Sequence, residues 1–463
     1  MLSTFPTATI TGYTHLGPNC EQTNALKDYW AGRLDAEAFS QSMHSLRLNT
    51  YSHLRELGLD EDYSIPASYT HYDHVLDTAL SVGLVASEPT GTDFDVDEYF
   101  AAARGMGHQA PFVPELEDST RFRARPQHLL SLVAEAKAAG HTIRPVLIGP
   151  VNLLALAKTS PGTGTSAFER LDELTTAYVD VISILAAAGV DWVQLDEPAL
   201  TTDVDEHSDT ELAEAASRAY ATLSRANTRP QIFVTAPHGS LRGGLPALAH
   251  SGIDALGVDV SAATRAIDPD YIVRIAAETP ASVHLVAGVI DARSVLADDL
   301  PTSPSVLQCL GRESFSVSTS TSLPHIPRTG SAEADLPAAD TSPACPAKED
   351  VAEAKVAEVK ALATTLADQP ADTARSSSRV SRPHRPLRET GDPQQLVASH
   401  TVFRLGGQTM PVRLHKSSDG ISVGSSQDLA LIDRRGDAVA EEAFVLRQHG
   451  GDVSTRLSRR RNL

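Results

Sequence analysis

The chain has 463 residues, 41% hydrophobic and only 5% aromatic, and carries a net charge of −20. Its length suits roughly two or three domains, or one large barrel with additions. The acidic excess argues against general nucleic-acid binding. No apolar run of ~18 residues and no basic-then-apolar leader marks a membrane span or signal peptide, so a cytoplasmic protein is expected.

In chain order, eight apolar runs ending in polar or Gly/Pro punctuation read as strands: Ala8 to Gly12, Tyr63 to Ala67, Arg144 to Gly149, Asp191 to Asp196, Gln231 to Thr235, Ala255 to Val260, His284 to Val289 and Phe315 to Ser320. Helical periodicity fills the gaps. It is clearest over 168–188, where Leu171, Leu174, Tyr178, Val181 and Leu185 share one face. Strands alternating with helices imply right-handed parallel crossovers, and eight such units predict an α/β fold: one TIM-type (β/α) eight-stranded barrel with its active side at the strand C-termini. Residues 86–127 are too long for a simple connection and are expected to form an elaborated loop over one barrel end.

After the eighth strand, a low-complexity insertion at 328–350 precedes a helix in which Val356, Val359, Leu362 and Leu366 share a face. The expected barrel domain is 1–368, followed by a polar, basic, disordered linker at 369–395. Residues 396–463 are expected to be a small β-rich or partly disordered basic tail. HTVFRLGG, MPVRLH, GISVGS and LALIDRRG are its candidate strands, and RLSRRRNL ends it as a solvated terminus. Charge supports this division: residues 1–373 carry −26 and residues 374–463 carry +6. Cys20, Cys309 and Cys345 show no CxxC spacing, so reduced thiols are expected.

The conspicuous chemistry is in GVDWVQLDEPAL, an apolar strand ending in Asp196, Glu197 and Pro198. Proline holds Glu197 extended and places both acids at a strand exit, where barrel enzymes keep their sites. The structural alternative, a brace at the barrel rim, is the favoured one. Tyr72, Asp73 and His74 follow the second strand. Asp73 and His74 would form an acid–imidazole pair if turned together, but adjacent residues usually point apart. Asp259, His238, His284 and His325 also lie near strands, yet sequence shows no convergence of ligands and no metal site is predicted. Cys20 stands at a helix start and is read as an ordinary, partly buried cysteine.

Several blocks together resemble cobalamin-independent methionine synthase, specifically its N-terminal barrel, over roughly residues 10–366. They are GYTHLGPNCEQTNALKDYWAGRL, YDHVLDT, YFAAARG, FVPEL, RPVLIGPVNLLALAK, WVQLDEPAL, LGVDV, AGVIDARSV and VSTSTSLPHIP. The resemblance implies methyl transfer from a methyltetrahydrofolate polyglutamate to homocysteine. In that family a zinc ion in a second, C-terminal barrel binds the homocysteine sulfur and presents a thiolate. After residue 366 about a hundred residues remain, too few for another such barrel, and none is cysteine.

The first barrel also departs from the family pattern. An Arg-Glu-Leu-Lys signature that helps hold the folate tail is matched by Cys20, Glu21, Gln22 and Thr23, so both cations are gone and only Glu21 remains. The lysine expected before VPE is missing. A serine-cysteine-serine sequence becomes Ser320, Thr321 and Ser322.

The expectation is therefore a truncated homologue without stand-alone methyltransferase activity and with no cofactor of its own. Its possible partner is a separate C-terminal catalytic barrel, in a split methionine synthase. The rival is a stand-alone barrel that binds or transforms another small molecule, with Glu21, Tyr72, Asp73, His74, Asp196, Glu197 and Asp259 as candidate ligand-binding residues. A third reading makes the basic C-terminal segment a recruiter of an acidic partner, and a fourth makes residues 369–463 the product of a truncated or frame-shifted gene.

Overall fold

The computed structural model describes residues 3–67, 70–85, 96–97, 99–100, 112–160, 164, 166–204, 207–300, 302–323 and 345–368, together with five strands between 401 and 458. Seven strands form one wholly parallel sheet in chain order: β1 (Ile65–Ala67), β2 (Ile143–Ile148), β3 (Trp192–Asp196), β4 (Gln231–Ala236), β5 (Ala255–Asp259), β6 (His284–Ile290) and β7 (Ser316–Thr319). Seven predicted runs thus become strands. The first, Ala8 to Gly12, corrects the expectation: it makes only an isolated parallel bridge, between Ala8 and Val317. Its polar groups go elsewhere. The Thr9 amide donates to Val317 O at 3.0 Å, while the Thr9 hydroxyl donates to Ser64 O, next to β1, at 2.7 Å. The segment therefore bonds near both edges of a curled sheet.

Helices cover the sheet because each crossover buries an apolar stripe. Leu171–Ala187 joins β2 to β3 and buries Leu171, Leu174, Tyr178, Val181 and Leu185, the face expected from spacing. Asp209–Ser224 follows β3, with the Ser208 side chain accepting from the Glu211 amide as its N-cap. Before β1, Glu21–Trp30 and Ala36–Glu56 form a helical pair whose Phe39, Met43 and Leu46 join Leu76, Tyr99 and Phe100 in a second, smaller core.

The helix Cys345–Ala367 starts inside the segment expected to be a low-complexity insertion. It is pinned by Lys355, which is almost fully buried and donates to Leu296 O and Asp298 Oδ2, both at 2.6 Å. Cys20 is disulfide-bonded, correcting the expectation of reduced thiols, while Cys309 is free and exposed. Folding had to bring the bonded cysteines together, which their separation in the chain concealed.

The chain divides into compact units at 1–378 and 379–463. In the second, Thr401–Leu405, Gln408–Ser417 and Gly420–Gly424 form an antiparallel sheet, and Ala443–His449 pairs with Asp452–Ser458. The last strand takes in Arg456 to Ser458, which were expected to belong to a solvated terminus. The 369–395 linker, LALIDRRG, His325 and most of the 86–127 loop lie outside the described residues.

Candidate functional site

The sheet interior is more polar than its aliphatic sequence suggests. Arg144 on β2 is fully buried. It donates to Gln194 Oε1 at 3.0 Å, Thr9 Oγ1 at 3.1 Å, Ile10 O at 3.0 Å and Tyr63 O, and its guanidinium lies over the rings of Phe5 and Phe233. Burial pulls its pKa down to about 9, against the attraction of Asp196. Gln194 relays this network upward, donating to Thr11 O and to Asp196 Oδ1, both at 2.8 Å.

Asp196 ends β3, only partly buried. Burial nevertheless lifts its carboxyl to about 7, opposed by Gln194 and Arg144. Its neighbour behaves differently. Glu197 is fully buried and accepts from Val151 N at 3.1 Å, Asn152 N at 2.6 Å and Tyr220 Oη at 2.7 Å. It thus supplies acceptors to the first turn of the helix Pro150–Ala155, whose amides have no partners within the helix. Gly149 is required beside it, since a Cβ there would collide with the Glu197 carboxylate. Burial raises Glu197 to about 7, and the three donors pull the other way.

Asp259, at the end of β5, is also buried. It accepts from Ser261 N at 3.1 Å and lies 3.3 Å from an Arg293 nitrogen; burial raises its pKa and Arg293 opposes the rise. After β1, Asp73 caps the helix His74–Ser81 by accepting from Val75 N at 2.8 Å and Leu76 N at 3.1 Å. His74 Nε2 lies 3.2 Å from Val146 O, so no hydrogen bond joins it to Asp73. Tyr72 packs edge-on to Trp30. His238 reaches Thr321 Oγ1 at 3.3 Å, whereas His284 bonds Ser316 near the opposite, N-terminal end of the strands.

The sequence reading missed a buried polar group behind β1. The rings of His71 and His128 are 5.4 Å apart; Arg47, in an ion pair with Glu135 at 2.6 Å, also faces both imidazoles electrostatically. Burial drives His128 down to about 3 and lifts nearby Asp77 to about 7. It also missed a cleft of about 560 Å³ between the helical pair and the helix Cys345–Ala367. Glu21 lies in it, held by Asn19 N and Nδ2, both at 2.9 Å. Composition offered no signal for either, because their residues come from distant segments.

Among the described residues, no three His, Cys, Asp or Glu side chains converge to hold a metal, and no helix is long and apolar enough to cross a membrane. The described residues therefore do not supply the donor set for the zinc of the family resemblance.

Residues 7–314 match the family described as cobalamin-independent synthase, N-terminal domain. The chain belongs to this family. It is similar to the 5-methyltetrahydropteroyltriglutamate–homocysteine methyltransferase of Rhodococcus jostii, with 40% identity over 71% of this chain and 44% of that protein. The same-named protein of Mycolicibacterium paratuberculosis is 37% identical over 78% of this chain and 48% of its own length. The chain thus spans about half the length of the curated relatives it matches. A solved structure described as the putative vitamin-B12-independent methionine synthase of Listeria monocytogenes aligns with TM-score 0.55 and 13% identity, covering 79% of this chain and 99% of that one. That likeness shows the shared fold, a curled parallel α/β sheet.

Proposed function

We propose that this protein serves methionine biosynthesis as the N-terminal half of a methionine synthase, and that methyl transfer to homocysteine requires a separate zinc-bearing barrel. The observation that carries the reading is the match of residues 7–314 to the family's N-terminal domain. In this reading Ala8 to Gly12 is the eighth stave of a closed barrel, bonded near β7 through Val317 and near β1 through Ser64.

The test is methionine formation from methyltetrahydrofolate triglutamate and homocysteine by the purified chain, alone and mixed with the separately produced C-terminal barrel of the Rhodococcus relative. Activity only in the mixture is expected. Turnover by the chain alone would overturn the requirement for a second barrel, and an inactive mixture would remove the split-enzyme reading.

A second reading, a barrel with a ligand of its own, is favoured by the partly exposed Asp196 and by two buried hydroxyls, Thr11 Oγ1 and Ser318 Oγ, that have no hydrogen-bond partner. Asp259 borders the same strand ends, whereas Asp73 and Glu197 serve as helix caps. If Asp196→Ala left binding of every small molecule found by a thermal-shift screen unchanged, that reading would be dropped.

A further inference from the structure

The turn that leads into the helix Glu21–Trp30 is wound through the left-handed region twice: Gly17 has φ +78°, and Cys20, the residue that enters the helix, has φ +58° and ψ +36°. Cysteine rarely adopts that backbone. Cys20 gives the helix no side-chain cap, and its sulfur is disulfide-bonded. The hydrogen bonds of the turn are largely local: Cys20 N donates to Gly17 O at 3.1 Å, Gln22 N to Leu16 O at 3.2 Å, and Asn24 Nδ2 to Asn19 O at 3.2 Å. The disulfide therefore ties a self-contained turn to a distant part of the chain.

The rest of the fold has other means of support. One apolar cluster runs from Phe5 to Leu362, whereas disulfides are needed chiefly where a small domain cannot build such a core. The helix Cys345–Ala367 is anchored by Lys355 on Asp298, by Glu353 at 2.9 Å from His53 and by Lys360 at 3.3 Å from Asp60. Cys20 is half-buried beside the exposed Pro18 and Asn19, so a reductant can reach it. The same turn forms a rim of the cleft, where Pro18, Asn19 and Glu21 line one side and Glu353 belongs to the helix Cys345–Ala367.

We propose that the Cys20 disulfide is a redox latch: a dithiol opens it, and the turn at 16–20 loosens at the cleft rim while the barrel stays folded. One thiolate of the dithiol attacks a sulfur of the bond, and its second thiol resolves the mixed disulfide. The protein gains two electrons and two protons as two thiols, and the dithiol leaves as its own disulfide. Once released, Cys20 is free to leave the left-handed region. The proposal goes beyond the methyl-transfer reading, since it concerns this chain alone and its outcome does not depend on a second barrel.

The test is a thiol count in denaturant, with amide exchange and thermal melting of the native full chain, after equilibration with oxidised glutathione and again after dithiothreitol. One thiol is expected in the oxidised chain, in keeping with the free Cys309, and three in the reduced one. Reduction should speed exchange over residues 16–26 at least about tenfold, leave Trp192–Asp196 protected and keep a cooperative melt; returning the chain to oxidised glutathione should restore the slow exchange. Cys20→Ser should exchange like the reduced parent and ignore dithiothreitol. Should that variant fold poorly, the redox cycle of the parent chain decides alone. Three thiols in the oxidised chain, equal exchange in the two states, or failure to recover on reoxidation would each overturn the proposal. Loss of the cooperative melt on reduction would do so too, by making the bond a staple of the whole domain.

Discussion

The acids at the strand ends and the acid in the helical cleft look alike in sequence and differ in what surrounds them. Glu197 has its carboxylate taken up by two backbone amides and a tyrosine hydroxyl, and Asp259 lies beside Arg293 with a backbone amide on one oxygen. Glu21 has only the Asn19 amides and opens into a cleft. An acid at a strand exit is therefore no guide to function by itself. What differs is whether the acid is enclosed among its donors or faces a cleft.

The sharpest way to break that contrast is Glu197→Ala. It would strand two amides and a hydroxyl in a buried site, and is expected to cost about 4 kcal/mol, read as a fall in the urea midpoint. A cost under about 1 kcal/mol would show that the brace is dispensable.

The next effect is on pH dependence. Burial raises Asp77, Asp196 and Glu197 to about 7 from ordinary values of 3.8 to 4.5. Protonated in the folded state, they contribute stability that is complete below about pH 4 and is lost as pH rises through 7. His128, lowered from 6.5 to about 3, acts in the opposite sense, stabilising above 6.5 and losing that contribution as pH falls towards 3. Asp196→Asn should therefore flatten the acid-side decline, so that the variant gains on the parent between pH 4 and pH 7 in urea melts. An unchanged slope would mean that Asp196 ionises normally.

Lys355→Met should cost about 2 kcal/mol by leaving Asp298 without its buried partner, and should make the helix Cys345–Ala367 the first segment to exchange its amide protons. Smallest is Asp73→Ala, a lost helix cap worth about 1 kcal/mol, measurable by thermal melting. It should leave the cleft unaffected.

Much of the sheet was legible because a buried parallel strand is a short apolar run with a polar stop, and each crossover helix repeats its apolar residues every three or four positions. Trp192–Asp196 and Leu171–Ala187 are cases in point. Ala8 to Gly12 has the same pattern but pairs at a single residue, since its polar groups serve Val317, Ser64 and Arg144 instead of a continuous ladder. The disulfide at Cys20 and the histidine pair behind β1 left no trace in local spacing. The pairing of Asp73 with its own helix, in place of His74, depended on a cap geometry that only the turn reveals.

The sequence by itself determined the family, the order of the strands and the faces of the helices, because these rest on periodic burial, which is written residue by residue. Tertiary structure decided which charges remain available. Whether Glu197 is a brace depends on donors brought in from residues 151–152 and 220, and hydrogen bonds act over a few ångströms of space with no regard for separation along the chain.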